Sequence, residues 1–228
     1  PLYQRALIVF GGPLANFLLA ILIFFSVYTF AGKDFTPAVI NEVQKDSPAM
    51  VAGLKNKDII VSIDGYKVKS IMEVSKFIMM STDEFIDFTV SRYDQDFIFK
   101  VKPNLVKSKD NLGNKVTKRM VGIKLGAYNN EVNHVKLGPV KALFYSVNEV
   151  YYVSVSSLKY IGSMIGGSGD SSQLGGPIRI AKISGQVAEF GILPFISLMA
   201  YISISLGLIN LFPIPMLDGG HLMFYGIE

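Results

Sequence analysis

Two uncharged apolar windows constrain this chain more than anything else in it. Ala6 to Gly32 is 27 residues without a charge, and Phe190 to Leu217 is 28. Either window exceeds the roughly 20 residues needed to cross a bilayer core. The charges gather between them: 21 of the 22 Lys and Arg and 16 of the 18 Asp and Glu lie from Lys33 to Glu189. Half the residues are hydrophobic and the mean hydropathy is +0.38, which is high for a soluble protein and favours a membrane component. A secretory leader is a poor reading of the first window, since the chain opens on Pro rather than Met and no A-x-A-like site follows. An internal piece of a longer protein is expected.

Cysteine is absent, which excludes disulfides and thiolate-held metals and says little about compartment. The net charge of +4 does not suggest nucleic acid, because the lysines are interleaved with acids and no recognition motif accompanies them; no nucleic-acid partner is expected.

Residues 1–33 read as a first membrane helix, beginning near Pro13 because Gly11-Gly12-Pro13 makes a poor helix interior. Asn16 then sits in the first turn, where an amide needs an interhelical partner. Residues 34–127 alternate in short runs with turns, the texture of a small α/β domain. Strands are expected at Ala38–Val43, Ile59–Ile63, Phe85–Tyr93, Phe97–Val101 and Met120–Leu125. Ser47-Pro48 and Gly53 bracket one helix, and Ser70-Ile71-Met72-Glu73 opens another, reaching Met80. Lys107 to Arg119 reads as a solvated basic loop. Residues 128–189 hold an amphipathic helix from Gly138 to Ile165, with Val140, Leu143, Phe144, Val147, Val150, Tyr151, Leu158 and Ile161 near one face, and a Gly-rich connector, 166–177. That helix either lies at a membrane interface or packs on its neighbour. Residues 190–228 give the second membrane helix, from Pro194 to before Pro213.

The second window ends in Asn210-Leu211-Phe212-Pro213-Ile214-Pro215-Met216-Leu217-Asp218-Gly219-Gly220-His221. Two prolines stop the helix while the sequence is still apolar. Non-helical backbone at membrane depth is tolerated only when buried in protein or lining a wet cavity. Asp218 either caps a turn just outside the membrane or serves a site there. A metal needs more ligands than this chain offers, since it has only two histidines, His134 and His221.

That stretch resembles the NxxPxPxLDGGH signature of the site-2 protease family, most closely the bacterial regulators of sigma-E proteases. Gly11 to Asn16, GGPLAN, resembles the family's GPxxN, and Gly175 to Lys182, GGPIRIAK, resembles the element before its third membrane helix. Asp46 to Val68 is similar to the SPAxxAGLxxGDxIxxIxGxxV run of bacterial PDZ domains, except that Lys57 replaces a usual glycine.

The resemblance implies a polytopic α-helical membrane protein with an inserted α/β PDZ domain. It implies an intramembrane zinc metalloprotease that cleaves single-span membrane proteins, anti-sigma-factor-like, in envelope-stress signalling. Asp218 would be the third ligand of Zn2+, and Asn210 and Asn16 would position substrate. Val121, Gly122 and Ile123, like a φ-G-φ loop, would bind peptide beside the Ser70–Met80 helix, although Gly122 as a simple strand bulge stays open. His221 receives no role. The remaining ligands and the general base sit in the family's HExxH helix, absent here, as is its last membrane helix. The fragment alone is therefore expected to be inactive and to hold no catalytic residue of its own. Arg5 ahead of the first span fits a cytoplasmic N-terminal side, and the resemblance implies a multi-pass protein of the bacterial inner membrane with the PDZ domain periplasmic. The other classes open are a non-catalytic membrane-tethered PDZ adaptor and a transporter built on broken helices.

Overall fold

The computed structural model describes residues 2–109, 115–127, 133–166, 176–214 and 216–227. The middle of the basic loop, most of the Gly-rich connector and Pro215 lie outside them. The chain divides into a helical unit, residues 1–33, 136–155 and 176–228, and a sheet unit, residues 34–135 and 156–175.

In the helical unit, α1 runs Leu2–Ser26 and continues as a π-helical turn, Val27–Ala31. This corrects the expected start near Pro13: the helix passes through Gly11, Gly12 and Pro13 without a break. Pro13 is buried and α1 packs along α6, and such packing overrides the local cost of glycine and proline in a helix. α4 begins at Pro139 and extends to Ile165; α5 is Pro177–Glu189, α6 Ile192–Leu211 and α7 Asp218–Ile227. Gln4–Ala31 and α6 are long and apolar enough to cross a membrane. α6 starts two residues before Pro194 and ends as expected, with Phe212 extended at φ −68°, ψ 143°. α1 packs along α6, and α7 packs on both.

In its part within the helical unit, α4 buries an unexpected stripe. Ala142, Ser146, Glu149, Val150 and Val153 are buried, whereas Val140, Leu143, Phe144, Val147 and Tyr151 stay exposed. Small residues allow close approach of backbones, and Tyr201 of α6 donates to the buried Glu149 carboxylate at 2.9 Å. The apolar face read from the sequence is therefore the one turned outward, with Val150 alone shared.

The sheet unit opens with β1, Lys33–Asp34, and β2, Ala38–Val43, followed by α2, Pro48–Ala52. Ser47 Oγ accepts from Met50 N–H at 3.2 Å, and Gly53 closes the helix in the left-handed region. β3 is Ile59–Ile63 and β4 Tyr66–Lys67, joined by Asp64 and Gly65, both at positive φ as a primed hairpin turn requires. α3 is Ile71–Met80, with Ser70 Oγ accepting from Glu73 N–H and Glu73 Oε2 accepting from Lys69 N–H. β5 (Ile86–Arg92) and β6 (Gln95–Val101) pair in full register. β7 (Asn104–Lys109) and β8 (Lys115–Met120) form a separate antiparallel ribbon, and β9 (Ile123–Ala127) and β10 (His134–Val135) complete the unit. The main sheet runs β6-β5-β3-β2-β9, with β4 on β3. Ile40, Ile60, Ile63, Val74, Ile86, Phe88, Val90 and Val101 form its core.

The β7–β8 ribbon corrects the solvated-loop reading for the described part of 107–119. The single strand expected at Met120–Leu125 is two strands, β8 and β9, parted by Val121-Gly122.

Lys57 stands at φ +73° and donates its N–H to Ile40 O at 2.7 Å. A non-glycine residue there carries roughly 1–2 kcal/mol of strain. Lys57→Gly is expected to stabilise the protein by about 1 kcal/mol, read as a raised urea midpoint; an unchanged or lowered midpoint would refute it.

Candidate functional sites

The break after α6 forms because Pro213 lacks an N–H and biases Phe212 away from helix. The chain then turns tightly: Ile214 N–H donates to Phe212 O at 2.7 Å and Leu217 N–H to Ile214 O at 3.1 Å. Met216, 95% exposed, adopts φ +79°. α7 starts directly at Asp218, which places a carboxylate on the positive end of a helix. The side chain is half-buried, and no hydrogen bond holds its carboxylate among the described residues. The turn-capping alternative therefore lacks its bond there.

Three glycines lie at close approaches in this part of the helical unit. A Cβ on Gly12 of α1 would meet Asp218 Oδ2 at 2.9 Å. One on Gly219 would meet the carbonyl oxygens of Leu211 and Phe212, each at 2.3 Å, and one on Gly207 would meet Asn16 Cβ at 3.3 Å and the Phe17 ring at 3.2 Å. Asn16 is four residues after Gly12 and so shares its face of α1, while Asn210 is three after Gly207 on α6. Asn16 and Asp218 thus lie at close approaches of α1 to α6 and α7, and helical spacing puts Asn210 on the side of α6 that carries Gly207. The interhelical hydrogen bond expected of the Asn16 amide is made instead by its main-chain oxygen, which accepts from Ser203 Oγ at 2.8 Å. His221 is exposed.

Among the described residues no three His, Cys, Asp or Glu side chains gather as a metal site. Among the described residues this junction offers Asp218, and a metal held there needs further donors. Sequence reading quoted Gly12 and Gly219 within their motifs without giving them a contact, and missed Gly207 and Ser203. Glycine inside a helix disfavours it by about 1 kcal/mol, so its presence there signals a packing need, though not which neighbour requires it.

The sheet unit holds a groove of about 330 Å³ between α3 and β9, lined among others by Ser75, Met79, Arg119, Val121, Gly122 and Ile123. Val121 O accepts from Ala49 N–H and Gly122 O from Gln44 N–H, both at 2.9 Å. Within a trans peptide the C=O and N–H point opposite ways. The N–H groups of Gly122 and Ile123 therefore face away from those donors. Gly122 sits at φ +80°, and a Cβ there would lie 2.3 Å from Ser47 Cβ. Arg119 donates to Asp83 O. Burial lowers the Arg119 guanidinium pKa, partly opposed by the charges of Asp64 and Asp83.

The whole chain, residues 1–228, matches the model of Peptidase family M50, the site-2 protease family, and belongs to it. It is 38% identical over 227 residues to a candidate zinc metalloprotease of Agrobacterium fabrum, covering 100% of this chain and 60% of the relative. It is 32% identical over 225 residues to zinc metalloprotease RasP of Geobacillus kaustophilus, covering 99% and 50%. The chain thus spans between half and two thirds of the length of these curated relatives. Among solved structures it matches the PDZ domain of an SdrC-like protein from Listeria monocytogenes at 23% identity and a TM-score of 0.32, over 40% of this chain and 88% of that one.

Proposed function

We propose that this chain is part of an intramembrane zinc metalloprotease in which Asp218 supplies one zinc ligand. The observation that carries the reading is the placement of Asp218 on the first turn of α7, against Gly12 of α1, in a chain of the M50 family. A half-buried carboxylate without a hydrogen-bonding partner among the described residues fits a cation ligand. Zinc in a protease takes three protein ligands and one water, polarises the peptide carbonyl and activates that water. The other two donors and the base fit an HExxH helix, a motif this sequence does not contain, so this stretch alone is inactive. Asn210 and Asn16 position the unwound substrate backbone.

The substrates are single-span membrane proteins, anti-sigma-factor-like, cut in regulated intramembrane proteolysis at a bacterial inner membrane. Gln4–Ala31 and α6 cross the bilayer, and the outward apolar face of α4 sits in its interface. The sheet unit is a periplasmic PDZ domain that filters substrates. Its groove takes the peptide as an added strand beside β9, with the Gly122 and Ile123 N–H groups supplying donors at one end.

The test is Asp218→Asn in the full-length protein with a membrane-embedded reporter. Cleavage is expected to fall to background and bound zinc to be lost. Wild-type cleavage with wild-type zinc content would sink the assignment.

A further inference from the structure

Gly11 and Gly12 are adjacent on α1 and differ in what surrounds them. A Cβ on Gly11 meets nothing within 4 Å, whereas one on Gly12 reaches 2.9 Å from Asp218 Oδ2 and 3.9 Å from its Cγ. Neither glycine has a positive φ, so alanine is conformationally acceptable at both. The obstacle at Gly12 is the far end of a side chain that can swing about two torsions. Among the described residues no hydrogen bond resists that swing. The fold can therefore absorb a methyl group at Gly12 cheaply, by turning the carboxylate away.

We infer that Gly12 is a positioning residue: the hydrogen in place of its side chain fixes where the Asp218 carboxylate can point. The inference rests on the reading of Asp218 as a zinc ligand. A carboxylate oxygen ligates zinc at about 2.0–2.2 Å, with little tolerance. A displacement of several tenths of an ångström, harmless to packing, removes it from that position. If Gly12 served only close helix packing, its substitution would act on stability rather than on the metal.

The experiment uses the full-length protein in detergent and compares Gly12→Ala, Gly11→Ala and Asp218→Asn. Two quantities are read: zinc affinity by chelator competition, and the melting temperature of the zinc-free protein. Both alanine variants gain the same helix propensity, so their difference isolates the contact with Asp218. Gly12→Ala is expected to weaken zinc binding about 10–100-fold, the range seen when a metal ligand loses its orienting neighbour, with the zinc-free melting temperature matching Gly11→Ala. Equal zinc affinities in the two alanine variants would overturn the inference. So would a fall in the zinc-free melting temperature of Gly12→Ala that persists when Asp218→Ala is added, because the clash is then gone. Restoration by that second change would support the inference even where the single variant folds poorly. Asp218→Asn separates the underlying reading: unchanged zinc affinity there removes Asp218 as a ligand, whereas loss there beside an unaffected Gly12→Ala removes only the role of Gly12.

Discussion

Arg92→Ala is expected to destabilise the protein by about 3–5 kcal/mol, the cost of leaving a buried charge without its partner. Asp58 is 1% exposed, and Arg92 grips it with two bonds, Nε to Oδ1 and Nη2 to Oδ2, both 2.7 Å. Nη2 also donates to Gly53 O at 3.0 Å, and the guanidinium stacks over Phe97 and Phe99. Hydrogen bonding to Asp58 raises the pKa of Arg92 above its already high value, despite some opposing burial. A folded-state pKa that is raised contributes stability below the unfolded value and loses it only as pH climbs past the folded one. From the arginine side, the pair is intact at every neutral or acidic pH. After truncation Asp58 keeps, among the described residues, the Lys55 N–H at 2.8 Å. Arg92→Lys should recover part of the loss, since one ammonium cannot reproduce the planar fork. Urea unfolding of the sheet unit is the measurement; a shift below about 1 kcal/mol, typical of a surface pair, would refute it.

Gly219→Ala is expected to cost about 3 kcal/mol, the upper part of the range for overpacking, although helix propensity alone favours alanine by about 1 kcal/mol. Unlike the Gly12 contact, the obstacles are backbone carbonyls of Leu211 and Phe212 at 2.3 Å, which no side-chain rotation removes. Relief requires α7 to move off the end of α6, and Asp218 begins α7. The variant should lower both the melting temperature and zinc retention, whereas Gly12→Ala lowers only the second. A melting temperature at or above wild type would show that the junction is looser than the contacts state.

Local chemistry made much of the sheet unit legible. Ser47, Ser70 and Gly53 mark helix ends by capping, which depends only on near neighbours, and Ala38–Val43 and Ile59–Ile63 fall as read. The β7–β8 ribbon was hidden because its lysines imitate a solvated loop; its alternation becomes meaningful only once Leu105 faces Arg119 across the pair. Pro13 misled for a different reason, since the rule that proline ends a helix is local, and the packing of a buried Pro13 with α1 along α6 outweighs it. On α4 the long apolar residues marked a face for a membrane interface or for a neighbour; within the helical unit they stay exposed, and Ala142 and Ser146 are buried instead. The motif placed Asn16, Asn210 and Asp218 in one site by resemblance, whereas the contact between Gly12 and Asp218 spans nearly the whole sequence and no spacing rule reaches it.

The neck of the sheet unit has its own consequence. Phe35 N–H donates to Asn133 O at 2.7 Å, and Thr36 Oγ1 accepts from Asn133 N–H at 3.0 Å, so the strands entering and leaving that stretch are laced together. Pinning those two ends closes the stretch between them into a loop, whose closure entropy grows only slowly with its length. Length added within that loop therefore costs little closure entropy, about 0.6 kcal/mol for each doubling.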